Sequence, residues 1–225
     1  MFINDREISC AIFDMDGVIF DSERANFECW TRNAKEFGFP DIEKVYFSCV
    51  GTNKEQTDEI LKCVYGRDFG EKAIADFRLA NRQLFHELYD GGRLPVKKGV
   101  REILKYFYDN GLPVSIASST RSDRVREELT EAGLLSYFRN IVGGEAVKVS
   151  KPNPEIYQIA CREMGVQSAA AMAIEDSYNG IRAAHSAGMF TVMVPDLKAP
   201  DHEMEELSDL ICVDLIELMG YSRIA

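Results

Sequence analysis

Hydrophobic and polar positions alternate along the chain in two periods. Short apolar runs recur at Ile8 to Phe13, Pro113 to Ala117, Asn140 to Val142, Ala170 to Ile174 and Phe190 to Val194, with a weaker one at Asp209 to Val213. Each is the length of a buried strand. From residue 99 onward, the stretches between them carry helical spacing. Val100, Ile103, Leu104 and Phe107 make one stripe, and Asn110-Gly111 comes after it as a C-terminal stop. Asp123 to Ala132 stops at Gly133, and Tyr178 to Ala187 stops at Gly188. Asn153-Pro154 starts a further helix, with Asn as N-cap and Pro at the first helical position, ending near Gly165. Strands alternating with helices of this length predict βαβ units and a parallel sheet.

One stretch breaks the alternation. From Ser22 to Tyr89 the pattern holds no strand and reads as helices at Ser22 to Phe37, Asp41 to Phe47, Asn53 to Val64 and Glu71 to Leu88. The expected fold is therefore α/β: a Rossmann-like parallel sheet core with an α-helical cap subdomain inserted after the first strand. The division places residues 1–19 and 93–225 in the core and 20–92 in the cap. Hinges are expected near Ile19-Phe20 and between Gly92 and Lys97.

Composition narrows the function. Lys and Arg number 26 against 37 Asp and Glu, for a net charge of -11. A nucleic-acid partner is excluded, because phosphate backbones are held by clustered basic side chains. The last thirty residues carry eight acids against Lys198 and Arg223, which reads as a solvated acidic face. Cys10, Cys29, Cys49, Cys63, Cys161 and Cys212 show no metal-site spacing and are expected as reduced thiols. The three histidines, His86, His185 and His202, show no metal spacing either. With no signal-peptide stretch and no window of roughly 20 apolar residues, the expectation is a monomeric, cytoplasmic protein without a membrane partner.

In an open parallel sheet, ligands bind at the carboxyl ends of the strands. Those ends carry Asp14-Met15-Asp16-Gly17, Ser118-Ser119-Thr120, Lys151-Pro152 and Glu175-Asp176-Ser177. Converging carboxylates raise one another's pKa. A hard divalent cation relieves this, and all-oxygen ligation favours Mg²⁺. The metal and Lys151 together suit a phosphoryl group. An anionic nucleophile about 4 Å from an anionic phosphate meets repulsion of roughly 4 kcal/mol at an effective dielectric of 20, which cations must offset. Asp14 can then attack phosphorus, and Asp16 can protonate the leaving oxygen and later activate water.

Phe13-Asp14-Met15-Asp16-Gly17-Val18-Ile19-Phe20-Asp21-Ser22-Glu23 closely resembles the first motif of the haloacid dehalogenase-like hydrolases. Ser118, Lys151-Pro152 and Ile174-Glu175-Asp176-Ser177 match the other three motifs in order, and the helical insert matches the family's cap. The style is that of the branch holding β-phosphoglucomutase and small sugar-phosphate phosphatases. The resemblance implies catalytic roles for Asp14 as nucleophile, Asp16 as general acid/base, and Ser118 and Lys151 as holders of the phosphoryl group. It implies metal binding by Asp14, the Asp16 carbonyl, Asp176 and Glu175. It implies substrate contacts from Glu23 and from the cap loop at Asn53 and Lys54, with Ser118, Ser119, Thr120 and Lys151 on the core side.

The function this implies is a Mg²⁺-dependent phosphatase acting on a small phosphorylated metabolite, a sugar phosphate, through an aspartyl-phosphate. The alternative within the family is a sugar-phosphate mutase. Its pattern has histidine where this chain has Asn26, and arginine where this chain has Lys54. Asparagine cannot shuttle a proton at neutral pH. From another class, a phosphoryl-accepting receiver also clusters Asp, Ser/Thr and Lys. A receiver lacks the helical insert and carries its acceptor on a later strand. The remaining alternative is a non-catalytic binding protein.

Overall fold

A computed structural model describes residues 1–52 and 54–223. The chain forms two compact units, Met1–Phe20 with Val96–Ala225, and Asp21–Pro95.

The first unit opens with two short strands, β1 (Phe2–Ile3) and β2 (Arg6–Glu7), and then β3 (Cys10–Phe13). The second unit comes next as three helical elements, α1 (Ser22–Phe37), α2 (Ile42–Cys49) and α3 (Lys54–Tyr89). The chain then returns to the first unit. It continues through α4 (Val100–Asp109), β4 (Val114–Ala117), α5 (Ser122–Glu131), β5 (Phe138–Val142), α6 (Glu155–Met164), β6 (Ala171–Glu175) and α7 (Tyr178–Ser186). It ends with β7 (Phe190–Met193), α8 (His202–Leu207), β8 (Leu210–Ile211), α9 (Leu215–Gly220) and β9 (Ser222–Arg223).

Six strands make one parallel sheet in the order β5-β4-β3-β6-β7-β8. The strand order reverses at β3, whose neighbours are β4 on one side and β6 on the other. A parallel sheet covered on both faces needs strands that are apolar throughout, and every residue of β3, β4, β6 and β7 is buried. Register decides where the strands end. Phe13 pairs with Ile116 and with Ile174, so β3, β4 and β6 finish level. The residues just beyond these three strands therefore meet at one edge of the sheet.

The α4 stripe is buried as its spacing predicts, at Val100, Ile103, Leu104 and Phe107. Phe107 meets Phe13 at a ring separation of 6.2 Å, and Phe13 meets Phe138 edge-on at 6.3 Å. Helix α6 is assigned from Glu155, two residues beyond the expected cap. Asn153 still does a cap's work, because its side-chain oxygen accepts the Glu155 N–H at 3.0 Å.

In the helical unit, α1 and α3 pack around an aromatic core. Trp30 lies edge-on to Tyr46 and Phe77, with centroids 5.1 and 5.4 Å away, and Phe39 stacks on Tyr65 at 4.3 Å. The two helices expected on either side of residue 70 are both present within α3 and meet at a kink. Only Gly70 leaves the helical conformation, with φ 80° and ψ 160°, a left-handed backbone open to glycine.

Two features go beyond the expectations. The small antiparallel sheet β2-β1-β9 is not foreshadowed by the hydrophobic pattern, because two-residue strands carry no period. The acidic tail is also more than a solvated face. Asp201 and Asp214 cap α8 and α9, Asp209 accepts the Thr191 N–H, and Asp196 pairs with Lys97 at 2.6 Å. Met204, Cys212, Leu215 and Leu218 from this tail are buried. All six cysteines are unpaired, and only Cys63 is exposed.

Phe107→Ala should cost about 3–5 kcal/mol, because a fully buried ring leaves a cavity that its neighbours cannot fill. Urea denaturation reads this directly; a loss under about 1 kcal/mol would show that the α4 face is not core.

Candidate active site

The level ends of β3, β4 and β6 set the site. Asp14 comes directly after β3, its N–H donating to the Ile174 carbonyl at 2.9 Å. Ser118 comes directly after β4, Glu175 closes β6, and Asp176 is next. Lys151 arrives from the loop before α6, through a cis Lys151–Pro152 peptide. Asp14, Ser118, Lys151, Glu175 and Asp176 are all buried.

Lys151 is the hub. Its Nζ donates to Asp14 Oδ1 at 2.5 Å, to Glu175 Oε1 at 2.6 Å and to the Ala117 carbonyl at 3.0 Å. An ammonium has three protons, and each has its acceptor. Glu175 is equally committed. Its Oε1 also accepts the Tyr157 hydroxyl at 2.6 Å, and its Oε2 faces the Asp176 N–H, the Ser177 N–H and the Ser177 hydroxyl at 3.2, 3.4 and 3.1 Å. Two glycines make room. A Cβ on Gly180 would lie 2.0 Å from the Glu175 carboxyl carbon. One on Gly17, whose φ is +76°, would lie 2.1 Å from Asp176 Oδ2.

The charges do not balance. Asp14, Glu175 and Asp176 bring carboxylate oxygens within 4.8 Å of one another, against one ammonium. Burial pushes the Asp14 carboxyl up to about 8, with the charges of Glu175 and Asp16 adding to the rise and Lys151 opposing it. Burial works to discharge Lys151, but Asp14 and Glu175 outweigh it and keep the ammonium charged. An excess of buried carboxylate with oxygen donors only fits a hard divalent cation. Asp14, Glu175 and Asp176 are the carboxylates grouped closely enough to hold one.

Asp16 stands apart from the three carboxylates. It is half-buried, and its Oδ2 accepts the Thr120 hydroxyl at 2.8 Å. Ser118 Oγ accepts the Thr120 N–H at 3.0 Å, and Ser119 is exposed beside it. Thr120, expected as a substrate contact, is thus tied to Asp16. On the helical unit, Glu23 opens α1 and its Oε2 accepts the Tyr46 hydroxyl at 2.8 Å. Lys54 is exposed at the start of α3, and Asn53 lies outside the described residues.

Residues 11–194 match the haloacid dehalogenase-like hydrolase family. The chain belongs to that family. As a haloacid dehalogenase-like hydrolase it is an enzyme, and its curated relatives include several phosphatases. It is 31% identical over 183 residues to the phosphorylated carbohydrates phosphatase of Thermotoga maritima, covering 81% of this chain and 82% of that one. It is 28% identical over 229 residues to hexitol phosphatase B of Escherichia coli, covering 95% of each. The crystal structure of β-phosphoglucomutase from Clostridium difficile shares the fold, with a TM-score of 0.73, 24% identity and coverage of 94% of this chain and 93% of that one. Among the described residues, no helix of this hydrolase is long and apolar enough to cross a membrane.

Sequence reasoning missed Tyr157. It lies on the apolar stripe of α6 with Ile156, Ala160 and Cys161, where an aromatic reads as packing. The available signal was the hydroxyl: a fully buried Tyr must find a polar partner.

The raised Asp14 carboxyl has a consequence for stability. A folded pKa near 8 against an ordinary 3.8 means that the folded state holds the proton more tightly. This contribution is fully present below the lower value and is lost as pH rises through the upper one. Asn at this position cannot ionise. In chelator, Asp14→Asn should therefore melt above the wild type at pH 8, with the advantage shrinking toward pH 4. An advantage that is flat with pH contradicts a strained Asp14 charge.

Proposed function

We propose that the chain is a Mg²⁺-dependent phosphatase that hydrolyses a small phosphorylated metabolite, a sugar phosphate, through an aspartyl-phosphate on Asp14. The observation that carries this reading is the buried Lys151 ammonium held 2.5 Å from the Asp14 carboxylate. A cation fixed beside a nucleophilic carboxylate lets an anionic phosphate approach it.

Asp14 attacks phosphorus and the ester P–O bond breaks. Asp16 gives its proton to the departing alcohol oxygen. In the second step Asp16, now a carboxylate, takes a proton from water as the water oxygen attacks phosphorus. The Asp14 acyl-phosphate P–O bond breaks, inorganic phosphate leaves and Asp14 is restored. Lys151 and the Ser118 hydroxyl hold the phosphoryl oxygens, while Thr120 keeps the Asp16 carboxylate directed. A divalent cation held by Asp14, the Asp16 carbonyl and Asp176 supplies charge neutralisation and keeps Asp14 ionised at neutral pH.

The carbohydrate-phosphate and hexitol phosphatases among the relatives support the substrate class. Asn26, which cannot relay a proton, supports hydrolysis over isomerisation. Glu23 and Lys54 are proposed substrate contacts from the helical unit.

The test is a phosphate-release screen over sugar phosphates, phosphoglycolate and nucleotides, with Mg²⁺ or chelator. Release should require Mg²⁺ and vanish in Asp14→Asn. Retention of more than a few per cent of the rate in that variant contradicts a nucleophilic Asp14. Rapid isomerisation with a bisphosphate primer and negligible release would favour the mutase. Thr120→Val, which removes the hydroxyl holding Asp16, should lower kcat about tenfold and leave KM nearly unchanged. Unchanged kcat would show that this hydrogen bond does not orient the acid.

A further inference from the structure

We propose that Tyr157 is a positioning residue, whose hydroxyl fixes Glu175 so that Glu175 in turn aims the Lys151 ammonium at the phosphoryl site on Asp14. The inference rests on the phosphatase reading and extends it to a residue outside the motif positions.

Lys151 has no spare proton while it contacts Asp14, Glu175 and the Ala117 carbonyl. To hold a phosphoryl oxygen it must redirect one donor, and the contacts that stay decide where the ammonium sits. Glu175 Oε1 is one of them, and it is shared between Lys151 Nζ and Tyr157 Oη, each at 2.6 Å. Its other oxygen faces the Asp176 and Ser177 backbone N–H groups and the Ser177 hydroxyl. A carboxylate has about four lone-pair sites, so this one is saturated and has little freedom to turn.

The same tyrosine meets the ammonium from a second direction. Lys151 Nζ lies 5.0 Å from the centre of the Tyr157 ring. Tyr157 is fully buried on the first turn of α6, shortly after the Lys151–Pro152 peptide, so its ring has little room to move. Packing and the ring contact need only an aromatic side chain. The hydroxyl is what phenylalanine would lack, and its acceptor is Glu175. Without it, Glu175 Oε1 has one donor fewer and draws Lys151 more strongly to itself, away from the phosphoryl group.

Tyr157→Phe isolates the hydroxyl. The probes are p-nitrophenyl phosphate as substrate and orthovanadate as a mimic of the five-coordinate phosphorus, in saturating Mg²⁺ well below the melting temperature. The expected result is a fall in kcat of about ten- to a hundredfold, the range of a buried hydrogen bond to a charged group. KM should stay within about threefold, and vanadate inhibition should weaken by the same factor as kcat/KM. A tyrosine that only packs would lower the melting temperature and leave kcat and vanadate inhibition within about twofold of wild type. That outcome overturns the proposal. Glu175→Gln, which keeps the shape and removes the charge, should weaken vanadate inhibition at least as much if the phenylalanine variant does not fold. Unchanged inhibition there overturns the proposal as well. The two claims fail differently: an inactive wild type removes the phosphatase reading and this inference together, whereas an active wild type matched by Tyr157→Phe removes this inference alone.

Discussion

One buried ammonium holds the catalytic edge of the sheet together. Lys151 sits between Asp14 from β3 and Glu175 from β6, on adjacent strands at the reversal of strand order. Two carboxylates at this separation, with a third beside them, cannot stay buried and ionised without a cation. Removing the ammonium from such a buried pair typically costs about 3–5 kcal/mol, because the carboxylates are left unpaired in a poor solvent for charge. The surrounding structure serves that arrangement. Apolar strands of matched register deliver the carboxylates level with each other, and Gly17 and Gly180 leave space where any side chain would collide with Asp176 or Glu175.

The same arrangement is incomplete in charge. One ammonium faces three carboxylates, and the shortfall appears as a raised Asp14. Such a group is a poor nucleophile until more positive charge arrives. A divalent cation would offset this excess of negative charge, which is the electrostatic basis of the proposed metal and nucleophile. Asp16 adds to that conflict through its charge, while its Oδ2 accepts the Thr120 hydroxyl. The acids of the tail serve a different purpose, with Asp201 and Asp214 capping the helices that follow them and Asp209 accepting the Thr191 N–H.

Much of this is legible in the amino-acid sequence. The strand runs, the α4 stripe and the helical insert come from period alone, and the residues at the strand ends can be named from topology. Bringing Asp14, Ser118, Lys151 and Glu175–Asp176 together needs only the rule that ligands gather at the carboxyl ends. The illegible features depend on contacts without a period. Tyr157 looks like core because its ring is core. The bond from Thr120 to Asp16 is hidden because a hydroxyl at a strand end gives no hint of its partner. The continuation of α3 to Gly70 is hidden because the pattern weakens from Gly66 to Phe69 while the backbone stays helical. The caps Asp201 and Asp214 are hidden among neighbouring acids of the same composition.

The central claim is that Asp14 carries the phosphoryl group between two half-reactions. The most direct test is to mix the enzyme with substrate and Mg²⁺, quench in acid during turnover, digest, and weigh the peptide that contains Asp14. A phosphoryl adduct on Asp14, stable in acid and released by hydroxylamine, is the predicted result. Continued phosphate release with an unmodified Asp14, or with the adduct on another residue, would contradict the account.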